Sequence, residues 1–265
     1  MHDTLTSLVE RALTGNQRPL EFYLRDNSRL PGPRANLELA NDVSSLLADS
    51  VSRYPTNVRT LIDEFANGNR KMVPSNTPEE FIMLCGIIAY GACAAVYPGW
   101  REDTFELLAH YACSGNWRVR EGVVMAYQRL LTAEPQEAIP HLFALATEGS
   151  YLQQRAAVAA IAEPALLYNR ELLTTALEIQ RIILERTHSA SAVDRKTEDF
   201  RTLRRTLGYT LSVLTAADPE SGFALMRECA SWRDVDITWA LRENLKKKRL
   251  AKFVEETEEL TKLLA

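Results

Sequence analysis

The side chains with the most evident chemistry in this 265-residue chain are cations. Lys246 to Arg249 read KKKR, and Arg201, Arg204 and Arg205 crowd the start of FRTLRRTLGYTLSVL. Clustered ammonium and guanidinium groups attract carboxylate or phosphate, and an arginine can grip either with two parallel hydrogen bonds. A second group sits in NWRVREGVVMAYQRLL, where Arg118 and Arg120 follow Trp117 and Glu121 stands four residues after it. On a helix that spacing places Trp117 and Glu121 on one side. His110 and Cys113 share a helical face at i and i+3, but zinc needs more ligands than these two, and no metal site is expected. No phosphate loop, catalytic triad or glycosidase-like pair of carboxylates is legible, and no cofactor is expected.

These residues need elements to hold them, and the elements read as helices throughout. Val119, Val123, Ala126, Tyr127 and Leu130 lie at offsets that make one apolar stripe on a helix, with Glu121 and Gln128 opposite. Shifted back 34 residues, the same template lands on Cys85, Ala89, Ala92, Cys93 and Val96. Shifted forward 34 it reaches Gln153, Ala157, Ala160, Ile161 and then Pro164, where a helix should stop. A further 50 gives Leu203, Leu207, Thr210, Leu211 and Leu214, and another 34 gives Ile237, Leu241, Asn244, Leu245 and Lys248. Between these stripes run helices predicted over 102–111, 136–146, 171–186 and 220–229. Pro135 and Pro219 stand where a first helical turn tolerates proline. Gly115 and Gly149 fall in links, where glycine can end a helix in the left-handed region. The longer interval is assigned to a loop in ERTHSASAVDRKTEDF, and Asn36, after the rigid LPGPR, is expected to cap a helix reaching about Ser50. No hairpin turn or sustained alternation argues for strands. The pattern predicts an all-α chain, a solenoid of about six helix pairs forming one domain over residues 1–265.

Composition agrees with a folded chain, at 46% apolar and 25% charged residues. A formal charge of −4 argues against indiscriminate coating of nucleic acid or membrane. The run from Cys85 to Val96 is read as too short and too rich in glycine and alanine to span a bilayer. Four cysteines without Cys-x-x-Cys spacing, and no secretory leader, lead to the expectation of buried thiols in a reducing cytoplasm.

Val-Arg opening a second helix, followed by small residues, resembles the HEAT repeat family. The phrases RLPGPRANLELA, QQRAAVAAIAEPALL and DITWALRENLKKKRL also look like an uncharacterised bacterial HEAT-repeat protein family. That resemblance implies a right-handed superhelix whose second helices line a concave surface. It also implies that arginines such as Arg120 and Arg155 form a polar ladder between repeats.

A shorter resemblance is to bacterial alkylpurine DNA glycosylases with HEAT-like repeats. Trp117 and Glu121 stand four apart, Arg155 lies in QQRAAVAAI and Trp239 lies in TWALRE. The resemblance implies Glu121 as a catalytic carboxylate near a cationic sugar, with aromatic contacts beside the lesion. Glutamate stands here where that family has aspartate, and an additional repeat separates Arg155 from Trp239.

Charge is unevenly spread. The segments 116–131, 150–163, 195–214 and 233–250 hold fifteen basic and seven acidic residues, which leaves −12 for the rest of the chain. The expectation is therefore a non-catalytic module whose basic concave groove holds an anionic macromolecule, either an acidic protein segment or DNA. Its binding residues would be Trp117, Arg118, Arg120 and Arg155 from the earlier repeats. Arg201, Arg204, Arg205, Trp239, Arg242 and Lys246 would complete the set. The enzymatic alternative is glycosylase-like action on alkylated purines. No membrane contact is expected.

Overall fold

A computed structural model describes residues 2–67 and 73–265. The described residues are helical with no strand, and they group into two compact units, Met1–Glu134 and Pro135–Ala265.

In the first unit, α1 (His2–Leu13) and α2 (Arg18–Asp26) precede α3 (Leu37–Val51), α4 (Pro55–Asn67), α5 (Pro78–Val96), α6 (Arg101–Tyr111) and α7 (Trp117–Ala133). Asn36 caps α3 as its sequence position requires, its side chain accepting from the Leu39 N–H. The centre is α5, which packs against α3, α4 and α7. Thr77 caps it, Pro78 opens it, and Glu79 and Glu80 occupy its first turn, a sequence written for a helix start. Helix α5 extends the apolar run Cys85–Val96 back to Pro78 and is then long and apolar enough to cross a membrane by length and composition, but 78% of that apolar window is buried inside the protein, as in a core helix. Two glycines let its neighbours in. A Cβ on Gly86 would lie 2.7 Å from the Ala66 nitrogen, and one on Gly91 would lie 2.5 Å from the Ala126 Cα and carbonyl oxygen. Helices α3 and α7 also touch across α5, because Arg129 donates to Asn41 Oδ1 and Ser45 Oγ, each at 3.1 Å.

In the second unit, α9 (Tyr151–Ile161), α11 (Glu198–Ala217) and α13 (Val235–Leu245) form one row. Helices α8 (Pro135–Thr147), α10 (Arg170–His188), α12 (Pro219–Ser231) and α14 (Val254–Leu263) form the other. Gly222 of α12 lies so close to α11 that a Cβ there would fall 2.4 Å from the Thr215 Cα.

Apart from Pro164 and Lys248, which lie just past α9 and α13, the 34-residue template falls on α5, α7, α9, α11 and α13, and its α7 members are all fully buried. Three details differ from the sequence reading. Val96 is 56% exposed, because it ends α5 beyond its packed neighbours. The stretch expected as a loop is shorter than expected, with residues 189–193 outside any helix and helix closing in from both ends. Helix α10 runs on through His188, a single 3-10 turn covers 194–196, and α11 begins at Glu198. Gly115 and Gly149 do not adopt the left-handed region. Arg29, Asn76, Arg233 and Gly15 do. Gly149 is small for another reason: a Cβ there would sit 2.4 Å from the Leu145 carbonyl oxygen.

Candidate functional site

Trp117, Arg118, Arg120 and Glu121 belong to the first unit. Arg155, Arg201, Arg204, Arg205, Trp239, Arg242 and Lys246 belong to the second.

Within the first unit, Arg118 is not presented to solvent. Its Nη1 donates to Glu80 Oε2 at 3.1 Å, and the two side chains are 5% and 0% exposed. Nη2 donates to the Gly32 carbonyl at 2.8 Å and to Asn76 Oδ1 at 3.3 Å. The Asn76 N–H closes the cluster by donating to Glu80 Oε2 at 2.7 Å. A buried charge persists only when paired and hydrogen-bonded, so this guanidinium is committed to holding α7, the start of α5 and the LPGPR segment together. It is the rung between successive second helices that the sequence reading sought in Arg120. Arg120 turns instead to the link before its own helix, donating to the Ser114 and Gly115 carbonyls at 2.6 and 3.1 Å. Trp117 is 49% exposed and lies over the Arg118 guanidinium at 4.4 Å. Glu121 is half-buried and engaged by other groups of the protein.

The second unit brings more of the candidates together. Arg204 reaches from α11 to Asp236 on α13 at 2.5 Å, and its guanidinium stacks over Trp239 at 4.4 Å. The indole meets α11 at Gly208, where a Cβ would lie 3.2 Å from it. Below, the buried Asn244 side chain donates to the Leu207 carbonyl and accepts from the Ser212 N–H, both at 2.7 Å. These contacts register α13 along residues 204–212 of α11. Arg201 and Arg205 stand exposed at the start of α11, both beside the exposed Glu198. Lys246 pairs with Glu243, and Arg242 donates to the Leu264 carbonyl. Arg155, half-buried on α9, is likewise engaged.

One feature here escaped the sequence reading, and a second was legible only in part. The first is Arg195, assigned to a loop. It donates to Asp234 and Asp236 at 2.7 Å each and to the Thr187, His188 and Ala190 carbonyls, tying the end of α10 to the start of α13. Desolvation of Asp234 would raise its carboxyl, but hydrogen bonds from Arg195 and from the α13 backbone outweigh it and hold the group below its ordinary value. The second is the run after α13. Lys247, Lys248 and Arg249 make no side-chain hydrogen bond or ion pair to the described residues, unlike the cations around them.

Beside Arg249 lies a groove of about 450 Å³, lined by Pro164, Leu167, Tyr168, Val213, Ala216, Ala217 and Arg249. Its origin is a mismatch in length. Helix α11 has 20 residues, whereas its row neighbours α9 and α13 have 11 each. Its last turns therefore project past both, and the links after α9 and α13 come in beside them. Tyr168, on the first link, is 93% exposed. Proline at 164 was the legible signal that α9 stops early, but the overhang depends on the length of α11.

No family model and no curated protein matches the chain. Among solved structures, it is similar to an engineered protein from a structural-genomics consortium, with 11% identity over 97% of each chain and a TM-score of 0.40. It is also similar to a designed armadillo repeat protein, with 16% identity, 91% of this chain and 98% of that one covered, and a TM-score of 0.38.

Proposed function

We propose that the protein is a non-catalytic interaction module whose second unit binds an anionic macromolecule through the basic surface of α11 and the segment after α13. The observation that carries this reading is the run Lys247, Lys248 and Arg249, whose side chains make no hydrogen bond or ion pair with the described residues, Lys247 sharing only the field of Glu243. Arg201 and Arg205 extend the positive surface at the other end of α11, where one exposed carboxylate, Glu198, serves both. Exposed pairs of this kind are weak and open readily to a competing anion. Arg204 and Trp239, held by Asp236 and Gly208, give the surface a rigid floor. An acidic protein segment fits better than nucleic acid. Glu198, Asp199 and Glu243 interrupt the cations, and a continuous phosphate backbone would meet them repeatedly, whereas discrete carboxylates need not.

The test is fluorescence polarisation with a labelled polyglutamate peptide and a labelled DNA duplex across a salt series. The peptide is expected to bind the full chain, with affinity falling as salt rises. Combining Lys247→Ala, Lys248→Ala and Arg249→Ala should lower low-salt affinity about tenfold and flatten the salt dependence. Unchanged binding in that variant would place the partner elsewhere. The glycosylase alternative has its own readout: release of methylated purine by the wild type, abolished in Glu121→Gln, would replace the binding reading.

A further inference from the structure

The groove over the end of α11 combines two properties that the basic surface alone lacks. Its lining is more apolar than polar: Leu167 from the link after α9, Val213, Ala216 and Ala217 from α11, and the ring of Tyr168 standing in solvent. Its one charged lining residue is Arg249, which has no partner among the described residues. The nearest carboxylates along the chain are already engaged by backbone, Glu163 accepting from the Ala165 N–H and Asp218 from the Ser221 N–H. A volume of about 450 Å³ admits one or two large side chains.

We propose that this groove holds an acidic peptide segment by an apolar or aromatic side chain, with Arg249 gripping a carboxylate next to that anchor. The inference rests on the anion-binding reading above and adds the specificity that reading lacks. Charge brings the segment to Lys247, Lys248 and Arg249 but does not select among acidic sequences. The anchor does, because only a segment with a large apolar residue beside its acids covers Tyr168, Ala216 and Ala217 while neutralising Arg249. Tyr168 acts as the movable wall, an aromatic face on a link rather than on a helix, closing over the anchor at small entropic cost.

Two fluorescein-labelled acidic peptides of equal length and charge separate the components, one with a central Leu-Trp pair and the other with Ser-Ser in its place. The full chain is expected to bind the Leu-Trp peptide at least about tenfold more tightly, the amount expected from burying one large apolar side chain. That ratio should persist at high salt while both affinities fall, since apolar burial is not screened. Tyr168→Ala with Ala217→Gln, both exposed positions that the fold does not need, should bring the ratio close to one. Equal binding of the two peptides by the wild type, with salt dependence intact, would overturn the groove and leave the basic surface standing. Failure of both peptides at low salt would remove the basic surface as well. Duplex DNA binding more tightly than either peptide, unaffected by Tyr168→Ala, would assign the surface to nucleic acid and overturn the proposal. So would a wild-type dimer in sedimentation that Tyr168→Ala dissociates, because it would give the groove to a second copy.

Discussion

Two arginines expected to face a ligand are spent on structure, in different ways. Arg118 is enclosed with Glu80, and Arg204 is shared between Asp236 and Trp239. Removing one partner of an enclosed pair strands a charge, so Arg118→Ala and Glu80→Ala should each destabilise by about 3 to 5 kcal/mol. The double substitution should cost less than the two added together, because it leaves no uncompensated charge behind. Urea denaturation of the three variants measures this, and strict additivity would show that the pair contributes nothing beyond its separate hydrogen bonds. Neither commitment could be read from the chain. Arg118 at the start of α7 looks the same in the sequence whether its side chain points outward or inward. What decides it is Glu80, which is 38 residues away, and the Gly32 carbonyl, 86 residues away. Lys247 to Arg249 were legible as a basic run, but their lack of partners was not, since it depends on where Glu243 and the acids of α14 come to lie.

At the scale of the element, buried stripes were the most readable feature. Hydrophobic periodicity reports which side chains face inward, and the template found Val119, Val123, Ala126, Tyr127 and Leu130 because all five are enclosed. Helix lengths were less readable. The Ser- and Ala-rich residues 189–193 do lie outside any helix, but the loop is shorter than its sequence suggests: α10 reaches His188, where Thr187 packs inside and Arg195 binds the terminal carbonyls, a tertiary contact that composition does not encode. The close joint of α5 against α7 sets the next expectation. Ala126→Asp places a carboxylate against Gly91 with no room and no partner, and should cost on the order of 4 kcal/mol or more. Gly91→Val should be comparably severe without any charge, because its Cβ would meet the α7 backbone rather than a yielding side chain. A tolerated Gly91→Val, judged by thermal unfolding followed by circular dichroism, would mean that the two helices do not cross there.

For the molecule as a whole, the four cysteines form a built-in probe. Cys85, Cys93 and Cys229 are buried, and Cys113 is exposed. Burial pushes the Cys93 and Cys229 thiols up to about 12 and raises Cys85 as well, so almost no thiolate forms at neutral pH. An aromatic disulfide reagent is expected to react quickly with one thiol in the native protein and with all four in denaturant. Fast native labelling of more than one would contradict the enclosure of α5 or α12. The reach of Arg129 from α7 across α5 to Asn41 and Ser45 of α3 has a different kind of consequence, one for descent rather than for stability. In an array whose members meet only their immediate neighbours, a pair can be gained or lost and the cut faces rejoin. Here the first and third members of a row recognise each other over the second. Inserting a pair between them would carry Asn41 and Ser45 out of reach, and deleting one would bring unlike faces together. The first unit has therefore given up the freedom to change its length, while the identities of its exposed residues remain open to drift.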